Sequence, residues 1–179
     1  MNPAEVAEVL EASGIGIASM LKALRPEIAS WHPAQGEWCV NECVGHIIEA
    51  EKRGFAGRIR IILGAQDPDL PTWDRTSIAH ARKDCDKKPS ELAGEIAHVR
   101  GESVELIRSL KPEQLSRSGN HPEVGRLSIE ELLHEWVHHD GNHFRQAVAN
   151  IQANVWPRMG NAQKFSTGYS RRRETASDS

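Results

Sequence analysis

Four long stretches of this chain repeat their apolar residues every three or four positions, and no stretch of similar length alternates as a strand would. In the first, from Ala4 to about Leu24, Val6, Leu10, Ile17, Met20, Leu21 and Leu24 line one face, and Pro26 follows as a stop. The second runs from about Val40 to Leu63 on Val40, Cys43, Val44, Ile47, Phe55, Ile59 and Ile62. The third begins near Ser90, behind Pro89, and carries Leu92, Ile96, Val99, Leu106 and Leu110 towards Pro112. Ser128 followed by Glu131 has the spacing of a capping box, so the fourth starts there and reaches about Val155, ahead of Pro157. A short helix is expected around Ser77 to Lys83. Residues 30–38, 64–75 and 116–126 read as loops. Four amphipathic helices in 179 residues must bury their stripes on one another, so the fold expected is all-α, a four-helix bundle. The bundle should occupy residues 1–160, with a polar, disordered tail over 161–179.

Composition narrows the function. Acidic and basic side chains number 25 and 22, a net charge of −3, which creates no field for nucleic acid or an anionic membrane. Neither is expected as a partner. No apolar run approaches the roughly 18 residues of a membrane span. Met1-Asn2-Pro3-Ala4-Glu5 lacks the pattern of a signal peptide. The three cysteines, Cys39, Cys43 and Cys85, form no CxxC and fit a reducing, cytoplasmic setting better than a disulfide framework. They read as free, small apolar residues. Nine histidines and five tryptophans are the unusual features.

The fourth helix holds two i, i+4 histidine pairs, His134 with His138 and His139 with His143, a spacing that lets two imidazoles reach one ion. Their positions on the helix separate them. At 100° per residue, His143, Trp136, Leu132 and Gln146 fall within about 60° of His139, on a face that mixes apolar groups with histidines. His134 and His138 fall beside Arg145, on a solvated edge. The His139/His143 pair is the better metal candidate, although two hydrogen-bonded core histidines would look the same. Leu133, Val137, Phe144, Val148 and Ile151 form a second apolar face, which suits a homodimer or packing on another helix of the same chain. Two histidines hold an ion loosely, and His46, at the edge of the second stripe, is the natural third. Glu51 falls inside that stripe, where a carboxylate needs a partner. Cys43, on the same side as His46, is kept as an optional further ligand. His32, His80, His98 and His121 have no partner at ligand spacing and read as surface or loop residues. Trp38, Trp73 and Trp136 are available to wall a substrate pocket, although core packing suits at least two of them.

Gly36-Glu37-Trp38-Cys39-Val40-Asn41-Glu42-Cys43-Val44-Gly45-His46-Ile47-Ile48-Glu49-Ala50-Glu51 resembles the second-helix signature of the DinB/YfiT-like superfamily. His139-Asp140-Gly141-Asn142-His143-Phe144-Arg145-Gln146 resembles its H-x-x-x-H-x-x-Q signature. The resemblance covers about Val6 to Val155. It implies an up-down-down-up four-helix bundle with a divalent ion, zinc or nickel, on His46, His139 and His143. It also implies Glu51 and Gln146 as supporting groups. Cys39 stands where the family has Ser or Thr, a better N-cap.

Three neutral histidines leave a divalent ion an open position, which is the arrangement of a catalytic rather than a closed structural site. The resemblance implies a thiol-dependent S-transferase that presents a low-molecular-weight thiol cosubstrate to a small electrophile. A metal-dependent hydrolase and a non-catalytic metal-binding stress-response protein are the alternatives. The expected partners are a small-molecule substrate and a second copy of the chain. No P-loop, Gly-x-Ser-x-Gly or dinucleotide fingerprint offers a rival chemistry.

Overall fold

In the computed structural model, which describes residues 1–166, the expected periodicities become helices with nearly the expected ends. Helix α1 spans Pro3–Ala23, α2 is the single turn Pro26–Ala29, and α3 runs Val40–Glu49. A π-helical turn, Ala50–Phe55, joins α3 to α4, Ala56–Gly64. Then come α5 (Arg75–Arg82), α6 (Pro89–Arg108) and α7 (Ile129–Val155). Most of the expected tail lies outside the described residues.

Cross-contacts give the helix directions. Met1 meets His134 and Gly16 faces Phe144, so α1 and α7 run parallel. Glu11 pairs with Arg108, and Gly14 faces Arg100, so α6 runs against α1. Asn41 meets Lys87 and Glu51 meets Arg100, so α3 runs with α6. The topology is up-down-down-up, an all-α four-helix bundle.

The sequence explains the helix ends. Asn2 accepts from Glu5 N, and Ser128 Oγ accepts from Glu131 N at 3.2 Å while Glu131 Oε2 takes Ser128 N–H at 2.7 Å. At Cys39 the hydroxyl of a better cap is missing, yet α3 still starts at Val40 because Glu42 Oε2 reaches back to Cys39 N–H at 2.8 Å. The π-turn has a local cause as well. Ala56 N–H donates to the Glu51 carbonyl, five residues back, and Gly57 has no Cβ to collide with the Lys52 carbonyl.

One expectation fails in the 116–126 loop, which contains a hairpin, β1 (Ser118–His121) with β2 (Gly125–Ser128). Its strands are too short to show alternation. Gly125 takes φ +79° at the turn, where other side chains are strained. The hairpin docks on the 68–70 segment through Leu70 N–H to Asn120 O and Asn120 N–H to Pro68 O, both 2.8 Å.

Two apolar clusters fill the bundle. Val6, Leu10, Phe55, Ile59, Ile107 and Trp136 belong to one; Ile17, Leu21, Val44, Ile48, Leu92 and Ile96 belong to the other. Along α1, α6 and α7 a polar layer separates them, built on buried Arg100. Its guanidinium bonds both Glu51 oxygens (3.0 and 3.1 Å), Asp140, Ser13 Oγ (2.8 Å) and the Leu10 carbonyl. Phe144 packs into the second cluster and against Gly16 of α1, and Leu133 is buried in the first. Most of the second apolar face of α7 is therefore covered within the chain, with Val148 left exposed. Among the described residues no helix is long and apolar enough to cross a membrane.

Candidate metal centre

The polar layer also brings His46 to His139 and His143. His46 comes from the last turn of α3, and the antiparallel course of α7 carries the other two past it one turn apart. One ligating nitrogen from each lies within 4.8 Å of the others. His46 Nε2 and His139 Nε2 are 3.1 Å apart, a separation suited to two ligands of one ion at about 2.0–2.1 Å each. His143 Nδ1 lies 3.0 Å from Gln146 Oε1. An amide oxygen only accepts, so Nδ1 carries the proton and Nε2 keeps its lone pair for an ion.

The surroundings keep these imidazoles neutral. Burial, with the neighbouring His143, His139 and Arg75, pulls His46 down to about 3. Burial and His143 pull His139 down to about 4, and burial lowers His143. Neutral imidazole is the metal-binding form. The rings are also held sterically. Trp38 packs on His46 at 4.9 Å between centroids and Trp73 stacks on it at 5.9 Å. Phe55, displaced by the π-turn, stacks on Trp136 at 5.2 Å and meets the edge of His139 at 5.3 Å. Trp136 is thus a core residue, while Trp38 and Trp73 flank the histidines.

A cavity of about 760 Å³ opens beside the histidines. His46, His139, Phe55, Trp73, Arg58 and Arg75 are among its walls. The hairpin closes part of it, and here the sequence reading of His121 as a surface or loop residue is corrected. His121 is buried, with Nε2 2.8 Å from Arg58 Nη2. Arg58 Nε is buried without a hydrogen-bond partner among the described residues.

The other expected site residues divide. His134 and His138 are exposed, as their helix angle indicated, although His134 reaches the cavity rim. Glu51 is buried against Arg100, and among the described residues no hydrogen bond joins it to the three histidines. Cys43 does not join their donor group. It is buried beside Asn150 in the second apolar cluster, where burial pushes its thiol up to about 12. Cys39 and Cys85, read from sequence as free, are paired as a disulfide. His32, read as an isolated loop residue, sits beside that pair, with Nε2 3.4 Å from Cys85 Sγ. None of these long-range partners had a sequence signal, because each depends on how segments tens of residues apart pack.

The DinB superfamily profile matches residues 16–147, most of the chain and all three histidines. The chain belongs to the DinB superfamily. This DinB-superfamily protein also superposes on YfiT from Bacillus subtilis, described as a probable metal-dependent hydrolase with an unusual four-helix bundle topology. The match has a TM-score of 0.74 at 20% identity and covers 88% of this chain and 87% of that one. It supports the fold. No curated protein matches the chain in sequence.

Proposed function

We propose that this DinB-superfamily protein is a metal-dependent enzyme, with a divalent ion on His46, His139 and His143, that transfers a low-molecular-weight thiol to a small electrophile. The observation that carries the reading is the convergence of three neutral imidazoles, two of which, His46 and His139, line a cavity of ligand size, about 760 Å³. Zinc or nickel there would bind a thiol sulfur, favour its thiolate at neutral pH and so supply a nucleophile. Gln146 fixes the His143 tautomer, and the aromatic neighbours limit ring rotation, so the three donor nitrogens stay close together. Phe55 and Trp73 give the cavity an apolar wall. Arg58, whose buried Nε–H has no partner among the described residues, offers a contact for an anionic group on the thiol or the electrophile.

A second reading, hydrolysis by metal-bound water, is favoured by Glu135. It lines the same cavity one turn before His139 and is a candidate base. Both readings require the same ion. Replacing His139 or His143 by Ala should abolish tight binding of one ion per chain, and replacing exposed His138 should not. The readings part in a cobalt titration. Sulfur-to-cobalt absorption on adding cellular thiols supports transfer. Ester or amide hydrolysis without a thiol response, lost in His143→Ala, supports the hydrolase. A fully loaded protein with neither response leaves a metal-binding protein without catalysis.

A further inference from the structure

A second set of metal-binding side chains shares no donor with the histidine centre. His32 comes from the loop before α3, Cys39 caps α3, Glu42 lies in its first turn, and Cys85 sits in the turn Asp84–Asp86 ahead of α6. One ligating atom from each lies within 4.8 Å of the other three. Two sulfurs, an imidazole and a carboxylate make a complete tetrahedral set for a thiophilic divalent ion.

The imidazole is oriented for this role. His32 Nδ1 lies 2.6 Å from the Glu37 carbonyl, so it carries the proton, and the lone pair of Nε2 faces Cys85 Sγ at 3.4 Å. A disulfide gains nothing from that lone pair, and Glu42, which caps Cys39 N–H through Oε2, keeps its other oxygen for an ion. A metal ion would use both, with the carbonyl acting as the outer hydrogen-bond acceptor common for metal-bound histidines. The N-terminus of α3 favours negative charge on Cys39 and Glu42. Cys39 is buried, Glu42 and Cys85 are half-buried, and His32 is exposed, which leaves a solvent path on the His32 side. The Cα atoms of the cysteines are 6.8 Å apart. Side-chain rotation would then let the sulfurs part to the roughly 3.8 Å expected for two thiolates on one zinc ion.

We propose that the Cys39–Cys85 pair, when reduced, joins His32 and Glu42 in a second metal site, selective for Zn²⁺ or a similarly thiophilic ion. Reduction transfers two electrons and two protons from a dithiol, which becomes a disulfide, to the Cys39–Cys85 bond. The ion then displaces the two thiol protons. Either form ties the start of α3 to the turn before α6. Cys39 follows Trp38, whose ring packs on His46, so both forms anchor one side of the histidine centre.

The test uses the full chain, reduced anaerobically with a phosphine, freed of it, and dialysed against zinc or cobalt. Wild type and Cys43→Ser should take up two ions per chain, and Cys85→Ser and His139→Ala one each. Thiolate-to-cobalt absorption should appear in wild type and His139→Ala and vanish in Cys85→Ser. His32→Ala, at an exposed position, should keep its helical spectrum and bind this ion at least tenfold more weakly. If the histidine centre binds nothing, the absorption still appears at one ion per chain, so the two readings fail separately. Reduced Cys39 and Cys85 with no thiolate absorption would overturn the site. So would a pair that stays unreduced in the folded protein, leaving Cys43 as the only titratable thiol.

Discussion

Arg100→Met removes the one cation of the polar layer and keeps most of the side-chain volume. Arg100 is 3% exposed and holds two carboxylates, Glu51 at 1% and Asp140 at 2%. Methionine would leave both without a counter-charge and leave Ser13 Oγ and the Leu10 carbonyl without this donor. Breaking a buried pair by removing one partner costs about 3–5 kcal/mol, a large part of the roughly 5–15 kcal/mol that holds a domain together. With a urea slope of about 2 kcal/mol/M, the unfolding midpoint at pH 7 should fall by about 1.5–2.5 M. The loss should shrink at pH 5, because burial already pushes the Glu51 carboxyl up against the pull of Arg100, and without Arg100 it protonates more readily. The triple variant E51Q/R100M/D140N, which leaves none of these three charges in the layer, should recover at least about 1 kcal/mol relative to R100M. Asp140 follows His139, and Glu51 lies in the π-turn behind His46, so R100M should also weaken metal binding at the histidine centre. A midpoint shift under about 0.5 M, or an equal loss at pH 5 and pH 7, would refute the reasoning.

Gln146→Leu keeps the volume but removes the acceptor for His143 Nδ1, and should weaken the metal by about 10- to 100-fold in a chelator competition. Unchanged affinity would show that Gln146 does not set the tautomer. Gly45→Ala would ordinarily favour a helix, but here its Cβ would overlap the Asp84 carboxylate, which is buried and bonded to Arg82 at 2.7 Å and Lys87 at 2.8 Å. A cost of about 1–3 kcal/mol should lower Tm by roughly 3–10 °C, and a rise in Tm would contradict the packing described. The metal-free protein should lose stability as pH falls from about 6.5 towards 4. His46 and His139 are held at about 3 and 4 when folded, so over that window protons bind only the unfolded chain. Below about 4.5, Glu95 adds to the loss, because Arg82 holds its carboxyl down at about 2. Chemical denaturation of the apo protein in steps between pH 7 and pH 4 measures both, and a flat profile would rule them out.

Local patterning was enough to locate the four helices, because the spacing of Leu10, Ile17, Val44, Ile96 and their like states which face of each helix avoids water. It also located the Ser128 cap and the choice of His139/His143 over His134/His138, since both depend on residues within two turns of one another. His46 was readable from its place on a stripe together with the family signature. Periodicity does not say what a buried face meets. Glu51, expected beside the metal ligands, is held by Arg100, 49 residues away. His121 gains Arg58 through a hairpin too short to show alternation. On the face of α7 that suggested a dimer, Leu133 is buried within the chain and Phe144 packs against Gly16 of α1. Cys39 and Cys85, 46 residues apart, meet with His32 and Glu42 where the entry to α3 passes the turn before α6. Each of these pairings depends on the relative placement of whole helices, set by the summed burial of many side chains and by the π-turn that Gly57 allows. No short window of sequence contains that sum.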